Sequence, residues 1–257
     1  MLIKTEKVGR MFYRMDYIYT SHRGILRRTN QDNSLCLGQF LPANHDSLEE
    51  IITGTAGTEE PILFAVFDGM GGEERGEMAS FLAAKTFQAT PMAGREQSLV
   101  KACMESNREI VRFTEKNGLN TCGTTVAALL FDPMGVVRCD IGDSRIYRLT
   151  DQGMEQLSED DVLQIGRYRK PPLLQFLGIP ENEIRIEPHT AVYDAVEGDT
   201  YLICSDGLTD MVSEEKIAET IRTFSGEEAG RMLLKAALDA GGRDNITFVL
   251  IRLKKQE

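Results

Sequence analysis

Short apolar runs bounded by Gly, Pro, Asn and Asp recur along the chain and predict β-strands. These runs lie at residues 34–37, 62–67, 124–131, 136–142, 145–150, 199–206 and 246–253. Residues 39–61 are largely polar with several Gly and Thr, and we predict a loop there. Only short turn sequences interrupt residues 124–150, with Pro133 at a favoured turn position. This spacing predicts a compact β-meander.

Longer segments with apolar residues three and four positions apart predict α-helices. They are residues 76–90, 97–116, 214–224 and 227–240. The second has a one-sided apolar face formed by Leu99, Cys103, Ile110 and Phe113. Strands and helices do not alternate one for one, which argues against a parallel βαβ array. We therefore predict an α+β fold in which antiparallel sheets carry helices on their outer faces.

Capping residues mark the ends of the two C-terminal helices. Ser213 is a candidate N-cap for the helix at 214–224, and Ser225 with Glu228 fits a capping box for the next helix. Gly241 and Gly242 follow that last helix and predict its end. The chain contains no Pro/Gly/Ser-rich linker. We therefore expect residues 1–257 to form a single domain.

The overall charge restricts the classes of partner. The formal net charge is −11 and the isoelectric point is near 4.9. An acidic surface repels a phosphate backbone, so nucleic acid is excluded as an expected partner. The N-terminus has no apolar core of the kind a secretory signal needs, and the longest apolar runs are too short to span a bilayer. We expect a cytoplasmic protein with no membrane association.

Cysteine and histidine usage excludes several kinds of metal chemistry. The five cysteines are far apart and form no C-x-x-C pair. That spacing predicts buried, reduced thiols and argues against a zinc knuckle or a disulfide scaffold. Only three histidines occur. Any metal site must therefore be built from other ligands.

Aspartates stand at the ends of five predicted strands: Asp32, Asp68, Asp143, Asp206 and Asp244. Strand ends lie along one edge of a sheet, so these carboxylates can converge, and several such charges together need cations to neutralise them. Oxygen ligands without His or Cys favour Mg²⁺ or Mn²⁺. The alternative is that each Asp is only a good turn residue, which holds better for one position than for all five.

Six segments together resemble the metal-dependent protein serine/threonine phosphatases, the PPM or type 2C family, and particularly its bacterial branch. They are GILRRTNQDN (24–33), VFDGMGGEERGEMAS (66–80), GTTVAALL (123–130), IGDSRIYRLT (141–150), CSDGLTDMV (204–212) and GGRDNITFVLI (241–251). The resemblance implies a central β-sandwich flanked by pairs of helices. It also implies hydrolysis of phosphoserine and phosphothreonine in proteins, by attack of a metal-bridging hydroxide on phosphorus.

The resemblance also implies roles for individual residues. Asp68 would bridge two divalent ions, Mn²⁺ or Mg²⁺, and Asp206 and Asp244 would bind one of them; these three are the candidate catalytic residues. The Gly69 carbonyl would complete one coordination sphere. The remaining core contributions, made largely through metal-bound water, would come from Gln31 and Asp32.

A third, weaker metal site and a phosphate-binding residue are implied as well. Asp143 and Asp210, together with Asp206, would form the third site. Arg27 matches the arginine that binds substrate phosphate, for which its planar guanidinium is suited. A neighbouring basic residue, Arg28, leaves open the alternative that this is an ordinary solvated face. The expected partners are phosphoproteins that a cytosolic serine/threonine kinase modifies, and the expected state is a monomer.

Two regions depart from the family pattern. Glu73 stands where bacterial members commonly have histidine, and Met70 where many eukaryotic members have it, so the motif supplies no histidine general acid. A metal-bound water could take that role. The flap around residues 157–180 is short and has Asp160-Asp161 in place of Asp-His. Its basic stretch RYRK at 167–170 could meet an acidic phosphopeptide, although an exposed surface is the simpler interpretation.

Two other functions fit parts of the sequence. A catalytically inactive phosphatase-like module would bind phosphoprotein or metal in signalling, but its usual signature, missing metal aspartates, is absent from the sequence. A nucleotide-binding loop fits poorly, because GMGGEERG does not match G-x-G-x-x-G and no G-x-x-x-x-G-K-S/T occurs. Glutamates at that helix start would also repel a bound phosphate.

Overall fold

The structure is a computed structural model that describes residues 12–70, 75–163 and 171–255. Its strands are β1 (Tyr13–His22), β2 (Asn33–Cys36), β3 (Gln39–Phe40), β4 (Ile52–Gly57), β5 (Ile62–Phe67), β6 (Gly69–Met70), β7 (Gly123–Thr124), β8 (Val126–Asp132), β9 (Gly135–Ile141), β10 (Arg145–Thr150), β11 (Gly153–Gln156), β12 (His189–Tyr193), β13 (Thr200–Cys204) and β14 (Ile246–Lys255). Its α-helices are α1 (Gly76–Ala89), α2 (Glu96–Asn117), α3 (Asp206–Thr209), α4 (Glu214–Thr223) and α5 (Gly226–Asp239).

Two antiparallel six-stranded sheets form the centre of the molecule. The first has the strand order β11-β10-β13-β14-β1-β4 and the second β12-β9-β8-β5-β2-β3, while β6 and β7 pair separately. Large side chains fill the space between the sheets, and Phe131 makes edge contacts with Phe64 and Tyr201 at ring-centroid distances of 6.0 and 5.4 Å. Burial of each such side chain contributes roughly 1.5–3 kcal/mol.

Helices cover the outer face of each sheet. Phe87 of α1 and Leu99 of α2 belong to the core against the second sheet, and Ile217 of α4 and Leu233 of α5 to the core against the first. The layers therefore run helix, sheet, sheet, helix. The predicted α+β fold with an antiparallel β-sandwich flanked by pairs of helices is confirmed.

The predicted meander is wrong. Strands β8 and β9 pair as expected, but β10 lies in the other sheet between β11 and β13. The chain crosses from one sheet to the other at residues 142–144, where Gly142 has a φ of 99°. Strands β9 and β10 are both mostly buried, so their apolar pattern did not reveal to which sheet each belongs.

The predicted loop at residues 39–61 contains two strands, β3 and β4, and the sequence also did not predict β1. Strand β4 is an edge strand whose small polar residues, ITGTAG, are half-buried or exposed. Such a strand is held by backbone pairing with β1 and has little apolar signal of its own. Strand β1 has the sequence YRMDYIYTSH, in which polar residues interrupt every short apolar stretch, so it contains no long apolar run.

One of the predicted helix caps is wrong. Ser213 accepts a hydrogen bond from a backbone N–H of α4, which confirms that cap. Ser225 makes no side-chain cap hydrogen bond, because Gly226 has a φ of 55° and turns the chain away from the capping-box geometry. Gly241 and Gly242 end α5 by donating to its last carbonyls, as predicted.

The five cysteines are free and buried, which confirms the predicted reduced thiols. Over the part of the chain that the structure describes, no helix is both long enough and apolar enough to cross a membrane.

Candidate active site

Asp68 is fixed at the end of β5 by contacts with the neighbouring strand. Its backbone N–H donates to the Thr125 hydroxyl (3.0 Å), and the Thr125 N–H donates to the Asp68 carbonyl (2.9 Å). The same Thr125 hydroxyl lies 2.7 Å from the Ser144 hydroxyl. The end of β5 is therefore tied to the sheet crossing that carries Asp143.

Asp32 and Asp206 come from different sheets and meet through a serine. Asp32 precedes β2 in the second sheet, and Asp206 follows β13 in the first. The hydroxyl of Ser205 donates to Asp32 Oδ2 at 2.8 Å. The side chain of Asp32 is almost fully buried, with 1% exposure. One hydrogen bond thus joins the two sheets at the site.

A glycine follows both Asp68 and Asp206, and each glycine allows another part of the backbone to approach closely. A Cβ at Gly69 would overlap the Gln31 carbonyl oxygen, and a Cβ at Gly207 would overlap that of Asn245. Each Asp-Gly pair therefore packs directly on a loop that carries further candidate ligands. Gly69 therefore has a packing role in addition to the predicted contribution of its own carbonyl.

The five strand-end carboxylates do converge. Burial raises the pKa of Asp68 well above its ordinary value, and the charges of Asp32, Asp206, Asp143 and Asp244 raise it further. Burial likewise raises the pKa of Asp32 to about 7, against the lowering effect of its hydrogen bonds. The neighbouring carboxylates thus make ionisation of Asp68 and Asp32 less favourable. Five charges of one sign meet where the two sheets adjoin.

The donor set fits a hard divalent cation. It consists of carboxylate and carbonyl oxygens with no thiolate or imidazole, which is the chemistry that Mg²⁺ and Mn²⁺ select. Within residues 12–70, 75–163 and 171–255, no three His, Cys, Asp or Glu side chains are already arranged to hold one ion. The structure therefore establishes the convergence of the charges, and the assignment of individual ligands is a proposal.

Arg27 lies over this cluster and is half exposed. Its Nη2 is 2.6 Å from Asp244 Oδ2. That hydrogen bond raises the pKa of Arg27, and the charges of Asp68 and Asp206 act in the same direction. The candidate phosphate-binding residue is therefore within reach of the acidic cluster, where it is paired with a candidate metal ligand.

Two further predicted site residues have different positions. The side chain of Gln31 lies against Gly76 at the start of α1, and its backbone N–H donates to Asn245. Asp210 is exposed just after α3, and its backbone N–H donates to the Asp206 carbonyl at 2.7 Å. Gln31 therefore belongs to the packed floor of the site and Asp210 to its rim.

Asp161 is a site-supporting residue that sequence reasoning noted only as a departure from Asp-His. It brackets Gly142, donating its N–H to that carbonyl (2.9 Å) and accepting the Gly142 N–H on Oδ2 (2.8 Å). Its Oδ1 accepts from Gln175 Nε2 (2.9 Å) and lies 2.8 Å from His189 Nε2. The described part of the flap therefore holds the turn that leads into Asp143.

The contact with Asp161 also affects His189. Burial alone would lower the pKa of His189, but the Asp161 hydrogen bond, with the charges of Asp140 and Glu159, raises the pKa above its ordinary value. A protonated imidazole beside Asp161 would strengthen the contact. The contact between Asp161 and His189 therefore holds the described part of the flap in place at neutral and mildly acidic pH.

Asp161→Ala is expected to lower the free energy of unfolding by about 3 kcal/mol, because it leaves the buried Gly142 N–H without an acceptor and removes the contacts with Gln175 and His189. Asp161→Asn should cost less, since its amide oxygen can still accept from Gly142. Urea unfolding measures both, with the exposed Asp151→Ala as a control of matched chemistry. Equal stability of the Asp161→Ala variant and the control would contradict this role.

Comparison with known proteins identifies the family. The family model for protein phosphatase 2C matches residues 44–239. The chain is 34% identical to the serine/threonine phosphatase Stp of Listeria innocua over 91% of this chain and 94% of that protein. The chain belongs to the protein phosphatase 2C family. The prediction of a bacterial-type protein serine/threonine phosphatase is confirmed, and the alternative of an inactive module is not supported.

Solved structures agree with this membership. The catalytic domain of the 2C-type phosphatase PstP, in complex with two manganese ions, superposes with a TM-score of 0.76 at 28% identity, covering 95% of this chain and all of that one. The phosphatase MsPP of Mycobacterium smegmatis, in complex with cacodylate, gives a TM-score of 0.71 at 30% identity over 92% of this chain and 97% of that one.

Two predicted features, Glu73 and the RYRK stretch at 167–170, lie outside the described residues.

Proposed function

We propose that the acidic cluster holds divalent cations and hydrolyses phosphoserine and phosphothreonine in proteins. The observation that carries the proposal is the convergence of five carboxylates on Asp68, with Arg27 above them. When bound, the cations would activate water as the nucleophile and neutralise the phosphate oxygens. The presence of two manganese ions in the PstP catalytic domain supports the proposed core pair.

Asp68 has the central role in this proposal. The charges of the other four carboxylates all raise its pKa, and this central position supports a role in which Asp68 would bind both cations. Asp206 and Asp244 would hold one of these cations, and the Gly69 carbonyl would complete a coordination sphere. Asp32 and Gln31 are more enclosed and would act through water, whereas Asp143 and Asp210 would hold a third ion.

During substrate binding, Arg27 would exchange its ion pair with Asp244 for one with the substrate phosphate. Its present partner, Asp244, is a half-buried carboxylate, and an ion pair at this exposure contributes little, about 0–1 kcal/mol. A phosphate monoester presents two oxygens to the planar guanidinium and can replace that partner. Asp244 would then be free to bind a cation. Substrate and metal binding would thereby support one another.

Arg27→Ala is expected to raise KM for a phosphopeptide about 10- to 100-fold, which corresponds to the loss of a charge-assisted hydrogen-bond pair. Arg27→Lys should recover only part of the loss, because an ammonium cannot bind two oxygens in one plane. Steady-state kinetics at saturating Mn²⁺ measure both. An unchanged KM in the alanine variant would remove Arg27 from the proposal.

The physiological context remains a prediction. The family assignment implies phosphoprotein substrates, while the opposing cytosolic kinase, the monomeric state, the single domain over residues 1–257 and the cytoplasmic location follow from the sequence analysis.

A direct activity assay tests the proposed function. Purified protein is incubated with phosphoserine and phosphothreonine peptides, with and without Mn²⁺, and phosphate release is measured. The expected result is turnover that requires Mn²⁺, is removed by EDTA and returns when Mn²⁺ is added back. Turnover that persists in excess EDTA, or no turnover in the presence of Mn²⁺, would overturn the proposal.

A further inference from the structure

Two adjacent apolar side chains stand in solvent beside the candidate phosphate-binding residue. Ile25 is 59% exposed and Leu26 is 67% exposed. They lie in the segment RGILRR, residues 23–28, which we call the arginine arm. Single exposed apolar residues are common, but a neighbouring pair at the rim of a catalytic site is a typical feature of a recognition surface.

The arm is held in place by backbone hydrogen bonds. The Ile25 N–H donates to the Gly242 carbonyl at 2.7 Å. The side-chain amide of Asn245 donates to the carbonyls of Arg23 (2.8 Å) and Thr29 (3.0 Å), at either end of the arm. The exposed side chains are therefore presented by a fixed backbone, which reduces the entropy lost on binding.

The position of the arm places it next to the reacting phosphate. Leu26 directly precedes Arg27, so their Cα atoms are about 3.8 Å apart. Arg27 in turn contacts Asp244 of the acidic cluster. A peptide whose phosphate reaches Arg27 therefore brings the residues that flank the phosphoserine close to Leu26.

The charge of the arm is opposite to that of the whole protein. Arg28 of the arm is exposed, and so is Arg243, which follows the Gly242 that accepts from Ile25. Within the described ranges neither arginine has an ion-pair partner. The chain as a whole carries a formal charge of −11. Exposed guanidinium groups at the arm of such an acidic protein attract acidic side chains and repel basic ones.

We propose that the arginine arm selects phosphopeptides by sequence, taking a large apolar residue directly beside the phosphoresidue and acidic residues beyond it. Leu26 provides the apolar contact, with Ile25 behind it, and Arg28 with Arg243 provides the charge selection. This inference rests on the proposed phosphatase function and adds the substrate class to it.

Matched phosphoserine peptides test the proposal. One set carries Leu or Ser at the positions immediately before and after the phosphoserine, and a second carries Glu or Lys two and three positions away. The expected preference of the wild type for Leu over Ser is about 10-fold in kcat/KM, typical for burial of one apolar side chain in a partly open site. The preference for Glu over Lys should be several-fold at low salt and weaker at high salt.

Two variants assign the preferences to the arm. Leu26→Ser is expected to bring the Leu/Ser ratio of kcat/KM close to one, and Arg28→Glu to reverse the Glu/Lys ratio. Met134→Ser, which alters a 61% exposed residue in the β8–β9 turn, should keep both wild-type ratios. Because each result is a ratio measured on one enzyme, a general loss of activity does not affect it.

The possible results separate this inference from the proposed function. A wild type that hydrolyses all peptides with equal kcat/KM, or a Leu26→Ser variant that keeps the full preference, overturns the role of the arm and leaves the phosphatase function intact. A wild type without Mn²⁺-dependent activity on any phosphopeptide overturns both.

Discussion

Asp68→Asn is expected to lower kcat/KM for a phosphopeptide by about a thousandfold or more, without loss of folding. The substitution removes the central negative charge that would be shared by two cations, and removal of even one preorganised electrostatic group at a reaction centre costs about 10²–10³ in rate. The amide is nearly isosteric with the carboxylate. Steady-state phosphate release at saturating Mn²⁺ measures the effect.

Stability separates a functional role of Asp68 from a structural one. Since neighbouring carboxylates raise the pKa of Asp68, a neutral side chain there relieves repulsion in the metal-free protein. The unfolding midpoint of Asp68→Asn in EDTA should therefore equal or exceed that of the wild type. Asp151→Asn, in an exposed turn, serves as the matched control and should keep full activity. Wild-type turnover in Asp68→Asn would contradict the assigned role.

The metal-free protein is expected to lose stability as pH rises from about 4 to 7. The pKa of Asp32 is raised to about 7 in the folded state, compared with an ordinary value of about 3.9 in the unfolded chain. The folded state therefore binds more protons across this window, and the free energy of unfolding falls as the pH increases. A shift of this size corresponds to a contribution on the order of 4 kcal/mol from Asp32.

Cations should reverse this loss, because they take the place of the protons. The increase in unfolding midpoint that Mn²⁺ produces should therefore be larger at pH 8 than at pH 5. Asp140, with a pKa raised to about 6 mainly by burial, and His189 give pH slopes of the same sign, but both are outside the candidate ligand set. The part of the pH dependence that is removed by Mn²⁺ or by Asp32→Asn is the part that comes from the acidic cluster. A metal-free protein more stable at pH 8 than at pH 5 would contradict the account.

Much of the fold followed from apolar patterning. Strands β5 and β10 were predicted with their observed ends, because β5 is an apolar run between Pro61 and Asp68, and β10 lies between the turn residues Ser144 and Asp151. The assignment of β9 and β10 to one meander failed, since the direction of the chain at Gly142 depends on packing between sheets. Strand β4 was missed because backbone pairing, and not apolar content, forms it.

The candidate ligands were predictable for a different reason. A carboxylate directly after a buried strand is unusual enough to notice, and Asp68 and Asp206 both have this placement. The residues that support them gave no such signal. Thr125, Ser205 and Asp161 are common polar residues whose importance comes from contacts with partners distant in sequence, 57, 173 and 19 positions away. Those contacts exist only once the distant parts of the chain have packed together.

Titration of Mn²⁺ into the metal-free protein by isothermal calorimetry shows directly whether the acidic cluster binds two ions. We expect about two tightly bound ions per chain, as in the PstP catalytic domain, and loss of this pair in Asp68→Asn. The Asp151→Asn control should bind like the wild type. Absence of Mn²⁺ binding by the wild type, or the same stoichiometry and affinity in Asp68→Asn, would contradict the claim that the converging carboxylates form a two-metal site.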